Sequence, residues 1–518
     1  MRRAAALAAT AVLSASLAAC GSAEKKDEAA AGPSGDPTTL NLAFQADMSV
    51  TDPDIFYDVE GNAVTLSGYE GLVRYKPDST EVEPALAKSW TVSDDGKTYT
   101  FKLQDGVTFH DGATMTSKDV KASIERRQAV KGGSSYMVAD VDKITTPDDL
   151  TVVMHLKQPV GPFLDYLASI WGPKIIGPEA LVEHKGDDHS QKYLAERIDG
   201  TGPYELAEFN RGREYKLTAF KDYWGTAPSF QNVVIKITPE MGTQRLELDK
   251  GDLDVILHSF PPTDLAGAKE NKDLQVVEKP SFARTMMYIN ANKAPLDTDA
   301  ARKAVAQAID TKHITESVYG DTAAVATGPY PEGMLADQPK LDYGTDAPVT
   351  TKSASGDLTL AYGPDAGGLL RQAAENIQAD LAKIGYKVTL KGVQLPDTFV
   401  YKNDPEKAPD LLLLSPVSDA AHPDTWAQPF WASTGGINAF AVKNAEVDKL
   451  LPQALAAPED QADDLYRQIG EANVDGHSMV YIADLKDTFV ARADLEGLQH
   501  SPAYEWLLTP SELSRSGG

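Results

Sequence analysis

LTLAYGPDAGGLLRQAAENIQADLAKIGYKVTLKGV, residues 358–393, is the stretch on which the fold turns. LTLAY reads as a strand, and a helix is expected from about Gly368 to Lys383. Gly385 ends that helix as a C-terminal cap, and YKVTL begins a second strand. This is a βαβ unit, which requires parallel strands and a right-handed crossover. Asp410 is followed by Leu411-Leu412-Leu413-Leu414, a short continuous apolar run suited to a strand buried on both faces. Open parallel sheets bind ligands beyond the carboxyl ends of their strands. The segment just past this run, SPVSDAAHPDTW (415–426), brings Asp419 to that edge. The fold class is α/β with mixed sheets.

Working outward, strand and helix signals continue to alternate. Trp90 to Leu103 predicts a hairpin, with a turn at Asp94-Asp95-Gly96 and Tyr99, Phe101 and Leu103 on one face. Thr116 is placed to cap a helix through Val120 and Ile124, with Asp119 completing a capping-box variant. Leu150 to Leu156 alternates as another strand. Asp297 is expected to cap a helix carrying Ala301, Ala304, Val305, Ala308 and Ile309 at helical spacing. About 480 folded residues exceed what one core can organise, so two or three lobes are expected.

The amino terminus has a different character. Arg2 and Arg3 precede an apolar stretch from Ala4 to Ala19, which ends in Leu17-Ala18-Ala19-Cys20-Gly21. A spanning helix needs about 20 apolar residues, so residues 1–19 read as a secretory signal peptide. The L-A-A-C-G ending resembles the lipobox of bacterial lipoproteins, in which the cysteine is lipidated. Cys20 is the only cysteine of the chain, so the body has no disulfide framework, thiolate metal cluster or cysteine nucleophile. Residues 20–38, rich in Ala, Gly, Ser, Pro and alternating charge, form a flexible tether.

Composition and motifs exclude several functions. A net charge of −27 argues against nucleic acid or an anionic membrane surface as partners. H-E-x-x-H, G-x-S-x-G and G-x-x-x-x-G-K-[ST] are all missing, so the expectation is a non-enzyme without cofactor or nucleotide. His184 and His189 flank an acidic loop whose spacing suits no helical zinc motif, and no metal site is assigned. His155 faces outward on its strand.

Several segments together resemble one family. YEGLVRYKPDSTEVEPALAKSWTVSDDGKTYTFKLQDGVTFHDGATMTSKDVKASIER, Tyr69 to Arg126, is similar to the signature region of the bacterial extracellular solute-binding proteins of family 5. These are the peptide- and nickel-binding components of ABC importers. The resemblance continues through TGPYELAEF, FKDYWGTAPSFQNVVIKI, LELDKGDLDVI and YINANKAPLDTDAARKAVAQAID. It returns at GPYPEGM, HPDTWAQPFW and GGINAFAVKNAEVDKLL, in order and over nearly the whole mature chain.

The resemblance implies a two-lobed periplasmic-binding-protein-like fold of type II with an inserted domain and a hinge. Residues 36–68, 200–284 and 484–518 would form a discontinuous core of lobe 1, residues 69–199 its inserted domain, and residues 285–483 lobe 2. It implies a lipid-anchored, monomeric receptor on the extracellular face, or in the periplasm where an outer membrane exists. Such a receptor captures peptide and hands it to permease subunits with partner ATPases. Sugar, nickel-chelate or other small-solute binding on this scaffold stays open, and a surface hydrolase or signalling lipoprotein is a more distant alternative.

In the family's peptide binders, an aspartate before the D-P-D-x-F-like motif pairs with the ligand α-ammonium, and Asp419 matches that position. His422 departs from the family's usual acidic residue before the proline. Trp171, Trp426 and Trp431 are candidate pocket walls, with simple core packing as the competing reading. Asn438 is a candidate for ligand backbone or a turn residue, and Arg284 lies near the expected hinge crossing, where a structural ion pair is the alternative. No cation for a ligand carboxylate is assigned, since Arg371 sits inside a helix. His110 matches a family position with a turn role.

Overall fold

A computed structural model describes residues 36–517 apart from 258–259, 344–346 and 364–367. The expected signal peptide, Cys20 and all of the expected tether except residues 36–38 lie outside the described residues. Among the described residues, no helix is long and apolar enough to cross a membrane.

The predicted βαβ unit forms. Gly356–Tyr362 pairs in parallel with both Tyr386–Gly392 and Leu411–Leu414. The crossover helix Leu369–Ile384 buries Leu370, Ala373, Ala374, Ile377, Leu381 and Ile384 on one face. At Gly385 φ is 113°, and an added Cβ would lie 2.2 Å from the carbonyl oxygen of Ala354. Only glycine fits that cap. All four leucines of Leu411–Leu414 are buried, as a central strand requires.

This unit belongs to a seven-stranded sheet. From one edge, the main path runs Val255–Ile256, Met479–Arg492, Leu274–Ile289, Leu411–Leu414, Gly356–Tyr362 and Tyr386–Gly392. Ala323–Val325 adds to Met479–Arg492. Two strands of this sheet are much longer than the rest. Leu274–Ile289 and Met479–Arg492 pair antiparallel from Leu274↔Arg492 to Tyr288↔Met479, with register shifts between Pro280 and Arg284 and between Thr285 and Met286. Beyond the shifts, Leu274–Ile289 pairs on its other side with Leu411–Leu414. Before them, Met479–Arg492 pairs on its other side with Val255–Ile256.

Two further four-stranded sheets precede the crossing strands in the chain. One joins Thr39–Phe44, Asn232–Ile237, Glu214–Ala219 and Tyr204–Asn210, with Leu40, Leu42 and Phe44 buried. The other joins Ala87–Val92, Thr98–Leu103, Thr151–Leu156 and Val141–Asp148, all antiparallel. Its first two strands are the predicted hairpin, and Tyr99, Phe101 and Leu103 are buried as the alternation required. Helix Ser117–Val130 has the expected capping box: Lys118 N–H donates to the Thr116 hydroxyl and Thr116 N–H donates to Asp119. The architecture is the expected α/β fold of two lobes with mixed sheets.

One cap differs from expectation. Helix Asp299–Ala308 is capped by Thr298, whose hydroxyl accepts from Ala301 N–H, and Ile309 already lies beyond the last turn. Asp297 and Thr298 both suit a cap, and the residue directly before the first helical one takes the role.

Arg284 sits at the first register shift, fully buried. Its Nη2 lies 2.6 Å and its Nε 2.8 Å from Oδ1 of Asp484, and Nη1 donates to the carbonyls of Gly328 and Pro329. The guanidinium also lies over the Tyr481 and Trp426 rings. Burial pushes the Asp484 carboxyl up and the arginine pulls it back. Removing the arginine strands a buried carboxylate. Arg284→Met should therefore cost about 3–5 kcal/mol in urea unfolding, and a loss below about 1 kcal/mol would show that the pair does not hold this crossing.

Candidate functional site

Asp419 follows the buried leucine strand by five residues and is itself 4% exposed. The Tyr57 hydroxyl lies 2.8 Å from Oδ1 and 2.7 Å from Oδ2, and the Tyr136 hydroxyl donates to Oδ2. Ser169 Oγ donates to the Asp419 carbonyl at 2.5 Å. Burial drives the Asp419 carboxyl up to about 6, opposed only by the two tyrosine hydroxyls. Its charge is thus met by neutral donors from residues far earlier in the chain, and among the described residues no cation pairs with it.

Asp419 lines a cavity of about 380 Å³, within the range of pockets that hold small ligands. Trp171, Trp506, Phe260 and Phe399 supply aromatic wall, and Leu369, Leu370, Leu395 and Leu414 supply aliphatic wall. Asp58, Glu60 and Lys486 add charge. Trp171 is fixed by its indole N–H, which donates to the Asp58 carbonyl at 2.9 Å, and by an edge contact with Tyr57. Trp506 holds φ at 53°, a conformation bulky residues rarely adopt, and its amide donates to Asp487 at 2.7 Å.

A buried ionic cluster braces the turn that carries Ser169 and Trp171. Arg126 binds Asp52 at 2.6 Å and Asp54 at 2.6 Å. Arg127 lies 3.4 Å from Asp54 and donates to the Ser134 hydroxyl and the Trp171 carbonyl. Lys174 donates to the Ser169 carbonyl at 2.9 Å, and burial with the nearby Arg127 pushes its ammonium down to about 7.

Of the residues put forward from sequence, Asp419 and Trp171 meet at the cavity; four others lie elsewhere. Trp426 is fully buried against Phe430, and Trp431 packs on Tyr330. Asn438 uses its amide on Ala432 and Val442 carbonyls and accepts from Val442 N–H, which makes it a turn residue. Arg284 is committed to Asp484. His422 is half-buried and desolvated, its ring pushed down to about 4, and Nδ1 accepts from Asp424 N–H. Asp424 in turn accepts from the Tyr166 and Tyr466 hydroxyls. His110 bonds the Gly202 carbonyl. Residues 184–189 form an exposed to half-exposed loop, and among the described residues no group of His, Cys, Asp and Glu could hold a metal ion.

Tyr57, Tyr136, Trp506 and Lys486 were not legible from sequence. Each comes from a segment remote from Asp419, and none belongs to a motif that marks it.

The profile of the bacterial extracellular solute-binding proteins, family 5, matches residues 81–438. A relative from Escherichia coli, described as a probable D,D-dipeptide-binding periplasmic protein, is 31% identical over 92% of this chain and 94% of its own. A dipeptide-binding protein of Pseudoalteromonas, solved with Met-Leu, superposes with a TM-score of 0.80 at 22% identity, covering 92% of this chain and all of that one. A Brucella suis protein solved with Fe(III)-EDTA also gives 0.80, at 21% identity over 93% of this chain and 100% of its own. The profile match and the long relative agree with the architecture: this protein belongs to the bacterial extracellular solute-binding proteins of family 5.

Proposed function

We propose that this protein is the receptor of an ABC importer, capturing short peptides by their free amino terminus. The observation that carries the reading is Asp419, a buried carboxylate facing the cavity with only tyrosine hydroxyls as partners. An α-ammonium supplies the charge that this carboxylate lacks, and a closed cavity makes that pairing strong. The D,D-dipeptide description of the Escherichia coli relative supports the same ligand class. In this reading residues 36–68, 200–284 and 484–518 with the insert 69–199 form one lobe, and 285–483 the other. The crossing strands at Pro280–Arg284 act as the hinge. Cys20 carries the lipid that tethers the receptor beside its permease, and ligand leaves unchanged.

Asp419→Asn keeps the volume and removes the charge. Calorimetric titration with a free dipeptide should show a loss of about a hundredfold to a thousandfold, the equivalent of a broken buried charge pair. N-acetylation of the peptide should cost wild type as much, without adding to the substitution. Equal binding of free and acetylated peptide by wild type would refute the amine contact.

The burial of Asp419 also sets a pH dependence. Asp419 rises to about 6 and Asp199 to about 7, against 3.8 for the free side chain. From about pH 4 up to these raised values the two carboxyls hold more protons in the folded protein than in the unfolded chain. Their own contribution to stability therefore falls as pH rises, while His422, pushed down to about 4, contributes in the opposite direction. Measured against Asp419→Asn, the ligand-free melting temperature of wild type should fall as pH rises from about 4 to about 6 and then level off. A wild-type melting temperature that climbs relative to the variant across this window would contradict the assignment. For the anchor, Cys20→Ser should move the folded body from the membrane fraction to the medium or periplasm. Unchanged membrane retention would place the anchor elsewhere.

A further inference from the structure

A second cavity, of about 100 Å³, shares no lining residue with the one that holds Asp419. Glu70, Arg74, Lys174, His500 and Glu512 bring charge to its wall. Four of these groups are already engaged. Glu70 accepts from the Thr201 and Tyr223 hydroxyls and from the Trp224 indole. Arg74 lies 2.8 Å from Glu83 and 3.4 Å from Glu512, and His500 stands 2.9 Å from Asp487.

Lys174 is the exception. It is 5% exposed, and its Nζ makes one hydrogen bond, donated to the Ser169 carbonyl at 2.9 Å. Among the described residues no carboxylate stands within ion-pair distance of it, and the charge that acts on it is the like charge of Arg127. Burial and that neighbour push the ammonium down to about 7, so near neutral pH much of the side chain is free amine. An amine desolvated beside another cation is a nucleophile. Size and charge then select the electrophile. The cavity admits only a molecule of a few heavy atoms. An aldehyde would leave an iminium, whose positive charge Arg127 repels. Carbon dioxide is small and uncharged, and it leaves an anion that Arg127 attracts.

We propose that Lys174 is a modification site, whose amine takes up carbon dioxide reversibly as a carbamate. The Nζ lone pair attacks the carbon, one C=O π pair moves onto oxygen, and an N–H proton leaves to solvent. The product keeps one N–H for the Ser169 carbonyl. It also sets a negative charge behind the ligand wall, since Ser169 donates its hydroxyl to the Asp419 carbonyl. The test equilibrates the folded protein with isotopically labelled bicarbonate near neutral pH. Carbon NMR of wild type should show a carbamate resonance that disappears on acidification. Trapping with an alkylating oxonium salt, followed by peptide mass spectrometry, should place at least about tenfold more label on Lys174 than on any other lysine. Lys174→Arg and Lys174→Met should lose the resonance. Because the trap maps the site in wild type, the result stands even where a variant fails to fold. An unlabelled Lys174, label spread evenly over the surface lysines, or a resonance that survives in folded variants overturns the proposal.

Discussion

Two strands hold this molecule together. Leu274–Ile289 and Met479–Arg492 pair over almost their full lengths, and every other strand of the large sheet joins one of them directly or through a neighbour. Main-chain bonds make such a pair stiff along its length, so it can bend readily only where the ladder is interrupted. The wider of its two interruptions lies between Pro280 and Arg284, where proline offers no donor and the register slips; the other falls directly after it, between Thr285 and Met286. A buried arginine at that point, bonded to Asp484 and two carbonyls, fixes the geometry that the ladder leaves open.

Placing the crossing there determines what the cavity can be. Leu411–Leu414 leans on the far half of the first crossing strand and delivers Asp419 just beyond its end. Tyr57, Tyr136 and Trp171, all from the first third of the chain, close around that carboxylate. The electrostatics follow from burial. A carboxylate that keeps company only with hydroxyls stays expensive to ionise, and the cost is relieved when a cation arrives. The ionic cluster of Asp52, Asp54, Arg126 and Arg127 is balanced within itself, so it braces the wall.

The sequence by itself determined whatever depends on neighbours along the chain. The βαβ unit, the Gly385 cap, the Tyr99–Leu103 hairpin face and the Thr116 capping box are all local patterns, written in spacing and in the conformational limits of single residues. Asp419 was legible for the same reason, since a strand end in a parallel sheet can be read from the strand that precedes it. Where two neighbouring residues suit one role, as with Asp297 and Thr298, local chemistry leaves a choice that geometry then makes. The tertiary structure alone decided which side chains face the cavity. Trp171 and Trp426 are the same residue type, yet one lines the cavity and the other fills the core, because burial depends on which surfaces meet. Tyr57, Trp506 and Lys486 stand far from Asp419 in sequence and reach its cavity only through tertiary packing. No period or motif encodes such a meeting, because the free energy that selects it belongs to the assembled core rather than to any one segment.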